Sequence, residues 1–122
     1  MAGQPLAGIK VIDLTQHIAG PYSTKQFADY GAEVIKVEKP LSGDLTRAMP
    51  PFVGGQLDAN KSIYFLYLNT NKKSITLNLK TDTGLQILDK LVKDADILVE
   101  SYAPKRSKQL GLEFEHFGEI NP

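Results

Sequence analysis

The stretch from Ile9 to Pro40, IKVIDLTQHIAGPYSTKQFADYGAEVIKVEKP, constrains the fold more than any other part of this chain. Ile9–Leu14 and Glu33–Val37 are short, rich in β-branched residues and bounded by turn formers, as strands are. Between them Tyr22, Phe27, Ala28 and Tyr30 supply much of one helical face. Pro21 suits the first helical position, where a missing N–H is no loss, and Gly31 ends the helix. A second strand following after a single residue predicts a right-handed parallel βαβ crossover. Such an opening aims a helix N-terminus at the turn after the first strand, where α/β folds hold phosphate.

Beyond it the pattern changes. Lys39–Ser62 holds three prolines and three glycines with few periodic apolar positions, so it reads as a long excursion loop with a binding or interface role. Ile63–Leu68 and Ser74–Leu79 read as extended segments around the turn Asn69-Thr70-Asn71-Lys72. In the second of them Ile75, Leu77 and Leu79 alternate with Thr76 and Asn78, as in a half-buried strand. Thr81 or Asp82 caps a helix whose apolar face is Leu85, Leu88, Leu91 and Val92. Ala95–Glu100 is a third buried strand, and Pro104–Leu110 and Glu113–Ile120 are short helices separated by Gly111. The expected fold class is α/β, the N-terminal part of a Rossmann-like, doubly wound, mostly parallel sheet. A sheet of about four strands without its closing half leaves a strand edge open, so self-association or a complementing chain is expected.

Composition narrows the function. At 122 residues, with 42% hydrophobic and 23% charged residues, the chain supports one ordinary globular core. Fourteen basic residues balance 14 acidic ones, so no global field favours nucleic acid or an anionic membrane, and neither is an expected partner. The N-terminus lacks a signal-peptide pattern and the apolar runs are too short to span a bilayer, so a cytoplasmic protein is expected. There is no cysteine, which removes disulfides and thiolate chemistry, and His17 and His116 have no metal-ligand spacing.

Several nucleotide and hydrolase signatures are absent. Glu38 ends the second strand where a ribose-binding acid sits in dinucleotide sites, but the turn Gln16-His17-Ile18-Ala19-Gly20-Pro21-Tyr22 lacks the G-x-G-x-x-G glycines. No P-loop, G-x-S-x-G elbow or H-E-x-x-H helix occurs. Asp13, inside the first strand, reads as a satisfied buried carboxylate. Lys72 and Lys73 read as surface or interface lysines.

The stretches DLTQHIAGP, GAEVIKVEKP, SGDLTR, NTNKKSITLNLK and ADILVESYAP form a set. In order and spacing they resemble the N-terminal portion of the class III coenzyme A transferases, the formyl-CoA and carnitine-CoA transferase group. The resemblance runs from Pro5 to Pro122. It implies a Rossmann-like large domain, two chains interlocked as a homodimer, and coenzyme A or acyl-CoA as substrate beside a carboxylic acid acceptor, with no tightly bound cofactor.

Matching positions then imply site residues. The nucleotide would lie over His17, Ile18 and Ala19. Lys39 would face the 3′-phosphate or adenine region, and Leu77, Lys80, Ser101 and Tyr102 would make further coenzyme contacts. Lysines at strand ends give local countercharge for phosphates, and Tyr102 can pack against adenine.

Three departures qualify this. Ser101 stands where many members carry asparagine, Gln109 where an arginine is common, with Arg106 and Lys108 near it as candidate replacements, and Ile18 where the formyl-CoA type carries a glutamine, so formyl or oxalyl specificity is not expected. The family's nucleophilic aspartate follows the strand after the Asn-Pro turn, past Pro122, and none of the eight aspartates here matches it. The chain alone is therefore expected to lack turnover. The α-methylacyl-CoA racemase branch and a non-catalytic CoA-binding or interaction fragment are the alternatives.

Overall fold

Residues 3–122 are described by the computed structural model. Four strands, β1 (Lys10–Asp13), β2 (Glu33–Glu38), β3 (Lys73–Thr76) and β4 (Ile97–Val99), form one sheet in the order β3-β2-β1-β4. Every pairing is parallel. The helices among the described residues are α1 (Ala19–Asp29), α2 (Ile63–Leu68), α3 (Asp82–Lys93), α4 (Pro104–Gln109) and α5 (Phe114–Ile120).

Strand alternation decides which side chains meet which helix. Val11 and Val34 point to one face and pack with Ala28 of α1 and with Ala32. Ile12 and Val37 point to the other, against Leu88 and Val92 of α3 and Phe117 of α5. Helices thus cover both faces, giving the expected Rossmann-like α/β sheet. Because all strands run the same way, the segments after β1, β2, β3 and β4 collect along one carboxyl edge. At β1 the connections diverge, with β2 on one side and β4 on the other. In open α/β sheets the crevice outside such a point is where ligands bind.

Local chemistry explains most boundaries. Gly31 leaves α1 at φ 101°, a conformation side chains resist. The Thr81 hydroxyl accepts from the Gly84 N–H and caps α3. Asn121 donates to the carbonyls of Val92 and Ala95 and ties the end of α5 to the end of α3. Among the described residues no helix is long and apolar enough to cross a membrane.

The structure corrects four expectations. Ile63–Leu68 is not extended but helical: Ser62 accepts from the Phe65 N–H as an N-cap, and Phe65 and Leu68, three apart, turn inward. A short apolar run carries no period of its own, so the cap decides. The first helix begins at Ala19, two residues before Pro21. The third strand ends at Thr76, although the Leu77 N–H still bonds the Glu38 carbonyl and Leu79 remains buried. β4 spans only Ile97–Val99 and is half-buried throughout, because it is an edge strand.

Candidate nucleotide site

The carboxyl edge is built on a layer of buried charge. Asp13, Lys36 and Ser74 are register neighbours across β1, β2 and β3. They share the α1 face with Val11 and Val34, so this face is apolar at its start and polar at its end. Asp13 accepts from Thr15 and from Thr24 of α1, and it pairs with Lys72 at 3.0 Å. Lys36 pairs with Asp44 at 2.7 Å and donates to the Thr15 carbonyl at 3.0 Å. Glu38 receives a two-pronged hydrogen bond from Arg47, at 2.7 and 2.8 Å, and a third from Ser74. Such charges are tolerated under cover because each is paired and hydrogen-bonded.

The excursion loop is what covers them. Asp44 and Arg47, flanking and inside a 3₁₀ turn at Leu45–Ala48, reach back to Lys36 and Glu38. The Arg47 guanidinium also lies 3.6 Å from the centre of the Phe65 ring, anchoring α2. Burial works to raise the Glu38 carboxyl, but Arg47, Ser74 and the Asp44 N–H outweigh it and hold it at about 2. Asp44 is likewise held below its ordinary range, with burial opposed by Lys36 and Thr46. For Lys72 burial prevails over the pull of Asp13 and lowers its pKa.

Upon this layer sits the turn after β1. The His17 N–H donates to Asp44 at 3.3 Å, and His17 takes φ 72°, uncommon for a residue with a side chain. Ile18 occupies the N-cap of α1 without a side-chain cap and is 42% exposed; Ala19 follows, also exposed. Gly20 lets the first turn of α1 approach β1: a Cβ there would sit 2.3 Å from the Thr15 Cβ. An uncapped helix start facing solvent favours an anion. Ser101, after β4, accepts from the Gln16 N–H at 3.3 Å and braces the turn from the far side of the switch point.

Beside it, a cavity of about 400 Å³ opens at the ends of β2 and β3 and before α4. Lys39, Leu77, Lys80 and Tyr102 all line it, with Leu79 and Leu110 among its apolar walls. Burial raises the Tyr102 hydroxyl, while Gln16 and the Arg106 charge pull it the other way. Among the described residues Glu38 is the one carboxylate on the lining, and Arg47 already neutralises it.

The eight residues singled out in the sequence therefore fall into two neighbouring groups. Lys39, Leu77, Lys80 and Tyr102 share the cavity; His17, Ile18 and Ala19 form the adjacent turn, with Ser101 tied to it. Lys72 is a correction: its side chain is 1% exposed and locked to Asp13, Asn69 and the Pro21 carbonyl, whereas Lys73 is an exposed lysine as expected. The sequence reading gave no role to Lys36, Asp44 and Arg47; of Arg106 and Lys108, which it left as equals beside Gln109, only Arg106 lines the cavity. Lys36 was detectable, since a lysine between Ile35 and Val37 in a central strand must point into a covered face.

A parallel sheet covered on both faces, with an uncapped helix start at its switch point and a basic, partly apolar cavity alongside, defines a Rossmann-like α/β domain with a candidate ligand site at its carboxyl edge. More narrowly, the chain belongs to CoA-transferase family III, whose model matches residues 6–122. It is 46% identical over 120 residues to human succinyl-CoA:glutarate CoA-transferase, covering 98% of this chain and 26% of that protein. It is 46% identical over 118 residues to a formyl-CoA:oxalate CoA-transferase of Escherichia coli, covering 97% and 27%. A solved CaiB/BaiF family protein from Brucella suis superposes with a TM-score of 0.87 at 36% identity, covering 99% of this chain and 32% of that one. The chain thus spans about a quarter of the length of the curated relatives it matches.

Proposed function

We propose that the chain is the coenzyme A-binding front part of an enzyme that moves CoA from an acyl-CoA to a carboxylic acid. The observation that carries this reading is the convergence of Lys39, Lys80, Leu77 and Tyr102 on one cavity beside the β1 turn. Two lysines offer countercharge to phosphates, while the leucine and tyrosine offer an apolar slot for a purine. The α1 N-terminus and the turn His17–Ala19 suit the pyrophosphate. Both curated relatives named above are CoA-transferases, which supports the transferase over the racemase branch.

In this reading the chain's residues bind and orient. The reaction itself needs an aspartate of the kind the family places after Pro122. That carboxylate attacks the thioester carbonyl, giving a mixed anhydride and CoA thiolate. The thiolate then attacks the aspartyl carbonyl, releasing the donor acid and forming an enzyme thioester. The acceptor carboxylate attacks that thioester, and the thiolate returns to the acceptor's acyl carbon to release the new acyl-CoA and free the aspartate. Asp13 and Asp44 are unsuited to this task, since both are buried in ion pairs.

Calorimetry with CoA and a CoA-exchange assay test the reading together. The chain is expected to bind CoA saturably, at roughly micromolar Kd, yet to show no exchange when given acyl-CoA and a free carboxylic acid. No detectable CoA binding would sink the cradle. Turnover by the chain alone would sink the division of labour.

A further inference from the structure

Arg106 is a third cation on the cavity, beside Lys39 and Lys80. α4 runs from Pro104 to Gln109, and residues four apart on a helix share a face. Arg106 and Leu110 stand in this relation, and both line the cavity with Lys39 and Lys80. Lys105, Lys108 and Gln109 are exposed and do not line it. Ser107 turns inward instead and donates to the Leu112 carbonyl at 3.0 Å. The helix thus presents one of its three basic residues to the cavity.

Arg106 is also weakly engaged within the protein. Its Nη1 approaches the Gln109 amide oxygen at 3.5 Å, at the outer limit of a hydrogen bond. Arg47 differs, with its guanidinium committed to Glu38, Ala59 and Asn60. Glu38, the cavity's carboxylate, is matched by Arg47, so Lys39, Lys80 and Arg106 leave an excess of positive charge on the lining.

Position indicates which part of a nucleotide this charge meets. In Rossmann-like sheets the pyrophosphate lies at the β1 turn and helix start, while the adenosine ribose lies beyond the end of β2, where an arginine accommodates an added ribose phosphate. The cavity is formed by Val37–Ser42 at the end of β2, with Leu77–Lys80 after β3, and does not include the β1 turn. A phosphomonoester is compact and dianionic, and a planar guanidinium can bind it through two parallel hydrogen bonds, which lysine cannot.

We propose that Arg106 is a specificity-determining residue that reads the ribose 3′-phosphate of coenzyme A, completing a three-cation cluster with Lys39 and Lys80. The proposal rests on the coenzyme A cradle described above and assigns the distinction between CoA and its 3′-dephospho form to a residue of α4.

Calorimetry with CoA and with 3′-dephospho-CoA, on the unaltered chain and on Arg106→Gln, Arg106→Lys and Lys108→Gln, tests this. The unaltered chain is expected to prefer CoA by about tenfold or more, in keeping with charge-assisted hydrogen bonds. Arg106→Gln should cut that preference to about two- or threefold by weakening CoA alone, with 3′-dephospho-CoA held within about twofold. Arg106→Lys should keep an intermediate preference, because charge remains while the fork is lost. Lys108→Gln should change neither ligand. Equal affinity of the unaltered chain for the two ligands overturns the role of Arg106 and leaves the cradle standing, as does an equal loss of both in Arg106→Gln. Binding of neither ligand by the unaltered chain overturns the cradle and this assignment with it.

Discussion

Replacing Lys72 by methionine keeps the length and apolar stem of the side chain and removes its charge. The ammonium lies 3.0 Å from Asp13, and the two side chains are 1% and 0% exposed, so water cannot take the place of the lost partner. The same nitrogen donates to the Pro21 carbonyl at 2.9 Å and to Asn69 at 3.0 Å, linking the start of α1 to the turn before β3. Breaking a buried pair from one side costs about 3–5 kcal/mol. Asp13 keeps its bonds to Thr15 and Thr24, which sets the expectation at the lower end, about 3 kcal/mol. Against a total of about 5–15 kcal/mol for a domain this is a large fraction. Urea unfolding followed by circular dichroism measures it, with an unchanged slope showing that the variant shifts stability alone. Lys73→Met is the internal control. Its ammonium is on a side chain 71% exposed and paired with Glu33 at the surface, so less than about 0.5 kcal/mol is expected. Combining Lys72→Met with Asp13→Asn should recover about 1 kcal/mol or more relative to the sum of the singles, since neither charge is then stranded. A loss below about 1 kcal/mol for Lys72→Met would refute the claim that this pair holds the carboxyl edge together.

Three further outcomes follow from the same layer. Glu38 has its carboxyl held at about 2 against an ordinary 4.5, so it contributes stability fully present above pH 4.5 and lost as pH falls toward 2; Glu38→Gln should flatten the acid limb of a stability–pH profile in that window. Gly20→Ala places a Cβ 2.3 Å from the Thr15 Cβ, so it should push α1 away from β1 and lower stability by roughly 1–3 kcal/mol, read as a fall in Tm. Asp44→Asn leaves Lys36 facing a neutral amide and should cost about 2–4 kcal/mol in urea unfolding.

The fold was legible where pattern and punctuation agreed. β1 and β2 follow from β-branched runs and Gly31 marks the end of α1, but of the expected helical face only Phe27 and Ala28 pack inward, whereas Tyr22 and Tyr30 are exposed and Thr24 is buried instead. Thr81 likewise marked the start of α3. Ile63–Leu68 was misread because a six-residue apolar run suits either strand or helix, and the deciding hydrogen bond from Phe65 to Ser62 lies at its border. Charge was harder to read than apolarity. Asp13 could be placed as buried from its strand alone, but its partner Lys72 is 59 residues away in sequence and looks like half of an ordinary Lys-Lys surface pair. Asp44 and Arg47 sit in a loop whose composition says nothing of the strands it covers. For the candidate site, motif positions led to Lys39, Leu77, Lys80 and Tyr102, which do share a cavity, while sequence left Arg106 and Lys108 as equals beside Gln109 and only α4 showed that Arg106 meets that cavity.

Backbone amide mapping by NMR during titration with CoA is the most direct test of the proposed coenzyme A cradle at the carboxyl edge of this sheet. Shift changes are expected to concentrate at His17–Ala19, Lys39, Leu77, Lys80, Tyr102 and Arg106 and to saturate with one equivalent. Changes centred instead on the opposite groove around Phe114, Phe117 and Asn121, or no saturable change at all, would contradict it.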